Sequence, residues 1–221
     1  MSPHDSDISS AIQDYLREIY MLQQEDGRAS TSRLAQSLEV SPSSTTAMLK
    51  KLDALGLVEH APYRGVVLTD AGERVALEVI RHHRLIEQYL AETLGLPLDA
   101  VHAEADRLEH ALSEELEAAI DKRLGYPTHD PHGDPIPNAE LELETTELRP
   151  LSELTEGERA TVLRVPDGDS DLLRYLTSLS LVPGSHVELR HAAPFGGPVT
   201  VAGDAGEHAI SRELATLIGV G

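Results

Sequence analysis

The sequence predicts a mainly α protein in three parts: an N-terminal winged helix-turn-helix, a pair of long helices and a C-terminal small β-barrel. Three observations predict this fold. Helical spacing of apolar residues dominates residues 8–55 before a hairpin pattern, two longer helical patterns follow, and the tail changes to short alternating segments separated by turn residues. We place the domains at residues 1–74, 75–147 and 148–221.

The first part contains three helical patterns. Apolar residues recur at helical spacing over residues 8–22, and Asp26-Gly27 ends the run. A short helix fits Ser30–Leu38. The dipeptide Ser41-Pro42 then starts a third helix, Pro42–Leu55, because serine favours the N-cap and proline favours the first helical position.

A β-hairpin follows the third helix. The segments "LVEH" at 57–60 and "VVLT" at 66–69, each with adjacent apolar residues, flank the turn sequence "APYRG" at 61–65, which indicates two short strands. Three helices and a hairpin form a winged helix-turn-helix. A small α/β core that binds no ligand would give the same pattern, so the pattern by itself leaves DNA binding open.

Two long helices are predicted in the second part, one from Asp70 to Gly95 and one over Leu98–Leu124. The apolar stripe of the second helix is Val101, Ala105, Leu108, Leu112, Leu116 and Ile120. Helix pairs of this kind commonly form a dimerisation unit. Residues 125–150 contain five of the thirteen prolines and an acidic run, so we interpret them as a linker.

The tail has the pattern of a small β-barrel. Its segments "RATVLRV", "HVELRHA", "VTVAG" and "EHAIS" alternate apolar and polar residues and are separated by Pro, Gly and Asp turns. This change of pattern supports a separate C-terminal domain.

Composition restricts the possible functions. The 221 residues include no long apolar run, and the start "MSPHDSDISS" lacks the order of a signal peptide, so we expect a cytoplasmic protein without a membrane span. Zero cysteines leave His and carboxylates as the strong metal ligands. The net charge of -20 argues against non-specific nucleic-acid binding, although residues 1–75 carry only -4 of it and include Lys50 and Lys51.

The stretch "HAEADRLEH" at 102–110 is a candidate metal-binding motif. His102, Asp106, Glu109 and His110 stand at relative positions 0, 4, 7 and 8, which one helix would place on one side. In a chain with 11 His and 25% charged residues, a solvated helix face is the alternative.

Several blocks carry a family resemblance when taken in order. They are "DYLREIY" at 14–20, "SPSSTTAMLKKLDALGLV" at 41–58, "YRGVVLT" at 63–69, "RHHRLIEQYL" at 81–90, "VHAEADRLEHALSEEL" at 101–116 and "PHGDPIP" at 131–137. In these blocks the chain resembles the diphtheria-toxin-repressor family of metal-dependent transcriptional repressors. The tail blocks "LVPGSHVEL" and "APFGGPVTV" are similar to the SH3-like domain of three-domain members and of ferrous-transport accessory proteins. The resemblance covers nearly the whole chain.

The resemblance implies a regulatory metal site with the ligands Asp14, Asp106, Glu109 and His110. Iron-responsive members have Met and Cys where this sequence has Asp14 and Asp106. Two-domain manganese regulators carry a second carboxylate on the first helix, where this sequence has Arg17, and this difference argues against a two-ion cluster of their kind. Because the three carboxylates supply hard oxygen donors and no ligand supplies sulfur, we expect Mn(II), with Fe(II) as the alternative.

An ancillary metal site is also implied. It would use His83 and Glu87, one helical turn apart, with His102 as the third ligand. Three-domain manganese regulators instead use a Cys and a His in the "PHG" loop, and the corresponding residues here are Asp130 and His132. Either composition is chemically reasonable.

Two further assignments concern the same chemistry. The family's barrel domain donates a ligand, for which Asp169 and Asp171 are the nearest candidates. His82 stands beside His83, and we interpret it as a solvated residue.

For DNA, the resemblance makes Pro42–Leu55 the recognition helix in the major groove. The residues suited to phosphate and limited base contacts are Ser41, Ser43, Ser44, Thr46 and Lys50. Ala47 would meet a thymine methyl group, and Arg64 in the wing would reach the backbone or the minor groove. Helix capping is the alternative for the Ser/Thr cluster. A homodimer should read a pseudo-palindrome in double-stranded operator DNA.

Two other functions compete with a repressor of metal-homeostasis genes. A metallohydrolase could use the same His and carboxylate residues, but it needs a general acid or base and a substrate cleft, and the sequence has no separate acid/base constellation. We therefore expect no enzyme. A metal-buffering or transport accessory protein would fit the barrel but leaves the helix-turn-helix unexplained.

Overall fold

The computed structural model of the protein describes residues 8–61, 65–144 and 146–221. Its contacts divide the chain into two compact units. The first unit comprises Met1–His82, Glu109–Leu112 and Pro137–Leu143, and the second comprises His83–Leu108, Ser113–Ile136 and Glu144–Gly221. Within the described ranges, every helix is too short or too polar to cross a membrane.

The first unit is built on α1 (Ser10–Asp26), α2 (Thr31–Ser37), α3 (Pro42–Ala54) and the start of α4 (Asp70–Glu92). Ile12, Leu16 and Ile19 place the apolar face of α1 in the core with no exposed area. Gly27 ends α1 at φ 74°, a left-handed conformation that glycine adopts without steric cost. Ser41 caps α3 and accepts the Ser44 N–H at 3.1 Å, so the predicted start of this helix is confirmed.

A two-stranded hairpin completes the winged helix-turn-helix. Strands β1 (Val58–Ala61) and β2 (Gly65–Leu68) pair antiparallel, with Val58 opposite Leu68. Val58 and Val66 are buried in the core that α1 lines. Residues 62–64 between the strands lie outside the described residues, and so does the predicted DNA contact of Arg64.

The second unit contains the rest of α4, together with α5 (Leu98–Leu108) and α6 (Glu114–Leu124). The prediction of one helix over Leu98–Leu124 is therefore wrong. A 3-10 turn at Glu109–Ala111 follows α5, and the Ser113 hydroxyl starts α6 by accepting the Leu116 N–H at 3.3 Å. A serine followed by acidic residues is a strong helix-start signal. The predicted stripe is interrupted here, and Leu108 and Leu116 are half-exposed.

Part of the predicted linker at 125–150 is structured, so that interpretation is wrong for this part. The Ile136 N–H donates to the Thr128 carbonyl at 2.9 Å and closes a compact loop. The side chains of Asp130 and His132 in this loop are buried. Buried polar side chains are typical of a structured site and not of a linker.

The tail forms one antiparallel sheet in the order β3-β8-β4-β5-β6-β7. Its strands are β3 (Arg149–Pro150), β4 (Arg159–Arg164), β5 (His186–Ala192), β6 (Val199–Gly203), β7 (Gly206–Ile210) and β8 (Gly219–Val220), with helices α7 (Ser170–Ser178) and α8 (Arg212–Leu217). The four predicted strand segments are confirmed, whereas α7 was not predicted. Leu173 and Leu176 of α7 are fully buried in the core of this sheet.

Candidate metal centres and nucleic-acid interface

The first unit brings Asp14, Glu109 and His110 together. Asp14 lies on α1, and the other two lie on the 3-10 turn. His110 Nε2 is 2.9 Å from Asp14 Oδ1 and 3.3 Å from Glu109 Oε1. One ligand atom from each residue lies within 4.8 Å of the others, which is close enough for one ion to be shared. The set combines two hard carboxylate donors with one imidazole and contains no sulfur.

Gln13 and Arg17 on α1 support this group. Gln13 Oε1 lies 2.8 Å from His110 Nδ1, and because an amide oxygen only accepts, Nδ1 carries a proton, which leaves Nε2 as the ring nitrogen available to an ion beside Asp14. Arg17 Nη1 donates to both oxygens of Glu109, at 2.9 and 2.8 Å. The Glu109 side chain is only 1% exposed, so the guanidinium offsets a buried charge. The sequence analysis did not identify the role of Gln13. Its position next to Asp14 is the one feature of the sequence that points to this role.

Burial raises the pKa of Asp14 above its ordinary value, although His110 and Arg17 act in the opposite direction. The neighbouring His82 is buried, and its Nδ1 lies 3.2 Å from the Glu109 carbonyl oxygen. The interpretation of His82 as solvated is therefore wrong. A histidine that donates to this carbonyl holds the 3-10 turn in place.

In the second unit, His83 and Glu87 on α4 meet His102 on α5. His83 Nε2 lies 3.0 Å from Glu87 Oε1, and His102 Nδ1 lies 3.1 Å from the same oxygen. The two nitrogens are 3.1 Å apart. The Glu87 side chain is fully buried. The structure thus groups the three residues that the resemblance assigned to an ancillary site.

Asp106 lies on the other side of the two imidazoles. Its Oδ1 is 3.5 Å from His83 Nδ1, and its Oδ2 is 3.7 Å from His102 Nε2. At these distances the contacts are electrostatic, and the negative charge of Asp106 favours protons on the ring nitrogens that face it. Asp106 belongs to the second unit, and its predicted place among the ligands of the regulatory site stays a prediction.

Asp130 and His132 face the second oxygen of Glu87. His132 Nδ1 lies 3.7 Å from Glu87 Oε2, and ligand atoms of these three residues lie within 4.8 Å of one another. Glu87 Oε2, Asp130 Oδ2 and His132 Nδ1 are buried, and none has a hydrogen-bond partner among the described residues. Because buried polar atoms nearly always have partners, this arrangement fits a bound cation.

The barrel domain contributes an aspartate that sequence reasoning missed. Asp167 Oδ2 lies 3.9 Å from His102 Nδ1 and groups with Glu87 and His102. The predicted candidates have other roles: Asp169 caps α7 by accepting two backbone N–H groups, and the highly exposed Asp171 pairs with Arg174. Asp167 precedes the capping residue by two positions, and no sequence pattern distinguishes the three aspartates.

The buried groups around Glu87 have strongly shifted pKa values. Burial, with Glu87 adding to it, raises the pKa of Asp130 from 3.8 to about 7. Burial alone would lower the pKa of His132, but the Glu87 carboxylate raises it from 6.5 to about 9. The pKa of Glu87 is lowered, because hydrogen bonds from histidines outweigh the effect of burial.

We expect the metal-free protein to lose stability as the pH rises from about 4 to about 9. The folded state holds the Asp130 proton more tightly than the unfolded state, so stability falls as the pH rises from about 4 to about 7. The contribution of charged His132 is then lost between its unfolded pKa of 6.5 and its folded pKa of about 9. A tenfold difference in proton affinity between the folded and unfolded states corresponds to about 1.4 kcal/mol of unfolding free energy.

Urea unfolding in metal-free buffer at a series of pH values measures this effect. Asp130→Asn keeps an oxygen for the two N–H groups that Asp130 Oδ1 accepts, and it should flatten the curve between pH 5 and pH 7. An equal slope in the variant and the parent would contradict the assignment to Asp130.

The predicted recognition helix α3 has one free face. Ser41, Ser43, Ser44, Ala47 and Lys50 are exposed, and Thr46 is half-buried. Thr45 and Leu49 on the opposite face are buried in the core. Ser41 acts as the cap, which confirms the alternative for this residue, and the Thr46 hydroxyl donates to the Pro42 carbonyl at 2.8 Å. Lys50 and Ala47 extend the exposed face beyond the cap.

Family models match all three parts of the chain. The model described as "Iron dependent repressor, N-terminal DNA binding domain" matches residues 7–66. "Iron dependent repressor, metal binding and dimerisation domain" matches residues 69–138, and "FeoA domain" matches residues 149–221.

Individual relatives are similar over nearly the whole chain. The iron-dependent repressor IdeR of Mycobacterium tuberculosis is 34% identical over 199 residues, which is 85% of this chain and 86% of the relative. A solved manganese-dependent transcriptional repressor in complex with manganese is 39% identical, with a TM-score of 0.85 over 95% of this chain and 98% of the other. The structure of ScaR with bound Zn²⁺ is 33% identical, with a TM-score of 0.78 over the same shares.

Proposed function

Because the chain belongs to the diphtheria-toxin-repressor family, which includes iron-dependent repressors, we propose that it represses transcription by binding operator DNA in response to Mn(II). The observation that carries this proposal is the group of Asp14, Glu109 and His110, whose ligand atoms lie close enough to share one metal ion. One of these ligands, Asp14, lies on α1 of the DNA-binding unit. The targets of the protein would be genes of metal-ion homeostasis.

A path of contacts connects this group to the DNA-facing helix. Asp14 is followed on α1 by Tyr15, whose hydroxyl lies 3.5 Å from Thr45 Oγ1 on the buried face of α3. Thr45 stands between Ser44 and Thr46, two of the predicted DNA contacts. We propose that a change in the position of Asp14 reaches α3 through this contact, which lies within one unit.

A bound divalent ion would supply positive charge between Asp14 and Glu109, which otherwise repel each other. Asp14, Glu109 and His110 would hold it, with Gln13 and Arg17 orienting two of them. In this arrangement Asp14 anchors α1 to the 3-10 turn, so that α3 is presented in one orientation. Arg17 contributes a permanent positive charge on Glu109, which favours a single ion at this site.

The donor chemistry favours Mn(II), with Fe(II) as the alternative. Carboxylate oxygens suit harder ions such as Mn(II), whereas thiolate or thioether ligands, which are absent here, suit softer ones. The relatives do not point to one metal, because one is named for iron, one was solved with manganese and one with zinc. The choice of Mn(II) therefore rests on the ligands of this chain. A second metal-binding region around Glu87 would serve an ancillary role.

We propose a homodimer that reads a pseudo-palindromic operator in the cytoplasm. The half-exposed Leu108 and Leu116 of the predicted dimerisation helices suit a protein contact. Two copies of α3 would then reach half-sites about one helical turn apart, or a multiple of it.

Lys50→Ala should weaken DNA binding to all sequences and lower the slope of log affinity against log salt by about one. Lys50 is exposed on α3, and the loss of one phosphate contact has this signature. Fluorescence anisotropy with a labelled duplex at several salt concentrations measures it.

Lys122→Ala is the matched control, because it removes the same charge from α6. Its slope should equal that of the parent. Equal slopes for Lys50→Ala and Lys122→Ala would exclude Lys50 from the DNA interface.

A further inference from the structure

We propose that the second unit binds two divalent ions bridged by Glu87, one on each carboxylate oxygen. The sequence offered His83, His102 and the loop pair Asp130 and His132 as alternative ligand sets for one ion. In the structure the two sets face different oxygens of the same buried carboxylate. The inference rests on the proposed metal dependence of the protein and is independent of DNA binding.

The first ion would lie on the side of Glu87 Oε1. This oxygen, His83 Nε2 and His102 Nδ1 form a triangle with edges of 3.0, 3.1 and 3.1 Å. Neighbouring ligands of an octahedral ion with bonds of about 2.1 to 2.2 Å lie about 3.0 Å apart, and tetrahedral neighbours lie about 3.5 Å apart. The triangle therefore matches one face of an octahedron.

Hydrogen bonds alone do not explain this triangle. If both imidazole nitrogens donate to Glu87 Oε1, the 3.1 Å contact joins two N–H groups that repel each other. Asp106 faces the opposite nitrogen of both rings, at 3.5 and 3.7 Å, and its charge favours protons there once an ion displaces the protons on the side of Glu87. Asp167, 3.9 Å from His102 Nδ1, is a further ligand on this side.

The second ion would lie on the side of Glu87 Oε2. His132 Nε2 lies 3.1 Å from the Leu98 carbonyl oxygen, which only accepts, so Nε2 carries a proton and Nδ1 faces the carboxylates. Nδ1 is 3.7 Å from Glu87 Oε2, too far for a hydrogen bond. Asp130 uses Oδ1 to accept the N–H groups of His132 and Asp134 and leaves Oδ2 for a ligand role. Three buried polar atoms therefore converge without a hydrogen-bond partner in the described part of the chain, and a cation that displaced their protons would satisfy all three.

The charges suit two ions. Four carboxylates surround the site: Glu87, Asp106, Asp130 and Asp167. Arg84 approaches one of them, because its Nε lies 3.8 Å from Asp130 Oδ2, and its Nη1 donates to the Pro135 carbonyl at 2.6 Å. Arg84 Nη2 also lies 3.9 Å from Asp134 Oδ1, so the positive charge of Arg84 is shared between two aspartates. Two divalent ions would balance the four carboxylates, and the donors lack sulfur, which again favours Mn(II) or Fe(II).

Mn(II) binding to full-length Asp14→Ala tests the proposal, because this variant lacks the regulatory site. We expect equilibrium dialysis to find two Mn(II) per chain. Low-temperature electron paramagnetic resonance should show a spin-coupled pair, because a bridging carboxylate couples the two ions. The parent should bind three Mn(II) per chain, with the coupled signal and one isolated-ion signal together.

Matched variants distinguish the ion on the Oε1 side of Glu87 from the ion on the Oε2 side. Paired changes Asp130→Asn and His132→Asn should leave one isolated ion in the Asp14→Ala background, and so should His83→Asn with His102→Asn. Glu87→Gln should abolish the coupled signal. Fewer than two ions per chain in Asp14→Ala, or two ions without coupling, would overturn the proposal. The coupled signal is also expected in the parent protein. The proposal can therefore be tested on the parent even if a variant misfolds.

Operator binding by the parent distinguishes this inference from the proposed function. A coupled pair without Mn(II)-dependent DNA binding would reject the repressor function and keep the two-ion site. Mn(II)-dependent DNA binding with one ion in the second unit would reject the two-ion site alone.

Discussion

In Asp14→Ala, Mn(II) should no longer raise the affinity for operator DNA, whereas in the parent it should raise it by about 100-fold. Asp14 is the member of its three-residue group that lies on α1, so its side chain is the link between the donor set and the DNA-binding helices. The variant should keep its fold, because Asp14 is partly exposed and its removal leaves the apolar face of α1 intact. Anisotropy titrations with and without Mn(II) measure the effect.

Asp26→Ala is the matched control, because it removes the same charge from the exposed end of α1. It should respond to Mn(II) as the parent does. A parental response in Asp14→Ala would show that coupling does not run through this residue.

Gly133→Ala should destabilise the second unit by more than about 3 kcal/mol and abolish its metal binding. Gly133 adopts φ +92°, and a Cβ atom there would lie 1.8 Å from the Leu163 carbonyl oxygen. Relief of this clash requires the loop to move away from β4, and the loop carries Asp130 and His132. Urea unfolding and Mn(II) dialysis on the purified variant measure the two losses.

Gly184→Ala separates the clash from backbone strain. Gly184 has a similar φ of +88°, but an added Cβ would meet nothing within 4 Å. Gly184→Ala should lower the free energy of unfolding by only about 1 to 2 kcal/mol, the strain of a left-handed alanine. The variant should still bind Mn(II). Equal effects of the two changes would show that close packing of the loop on β4 is not what holds Asp130 and His132 in place.

Local signals made much of the fold predictable. Ser41-Pro42 marks the start of α3 because the cap and the first helical position are chemically specific. Helical spacing of Ile12, Leu16 and Ile19 likewise identified the buried face of α1. These features depend on neighbours in sequence, so one sequence is enough to find them.

Features that depend on tertiary contacts were missed. Apolar periodicity continued through Ser113, so the helix break after Leu108 was overlooked, although His102 and His110 had already been assigned to different metal sites. The burial of His82 and of the loop around His132 depends on distant segments. For the same reason the sequence presented the ligand sets around Glu87 as alternatives, whereas the structure gives each set its own oxygen.

The most direct test of metal-dependent repression is operator binding by the parent at fixed salt, with Mn(II), anaerobic Fe(II) or Zn(II) added and then removed by a chelator. The duplex is selected from a random pool by the Mn(II)-loaded protein. We predict a pseudo-palindromic footprint that Mn(II) induces and chelation reverses, with weaker induction by Zn(II). Equal occupancy of the duplex with and without metal, or no selected sequence at all, would contradict the account.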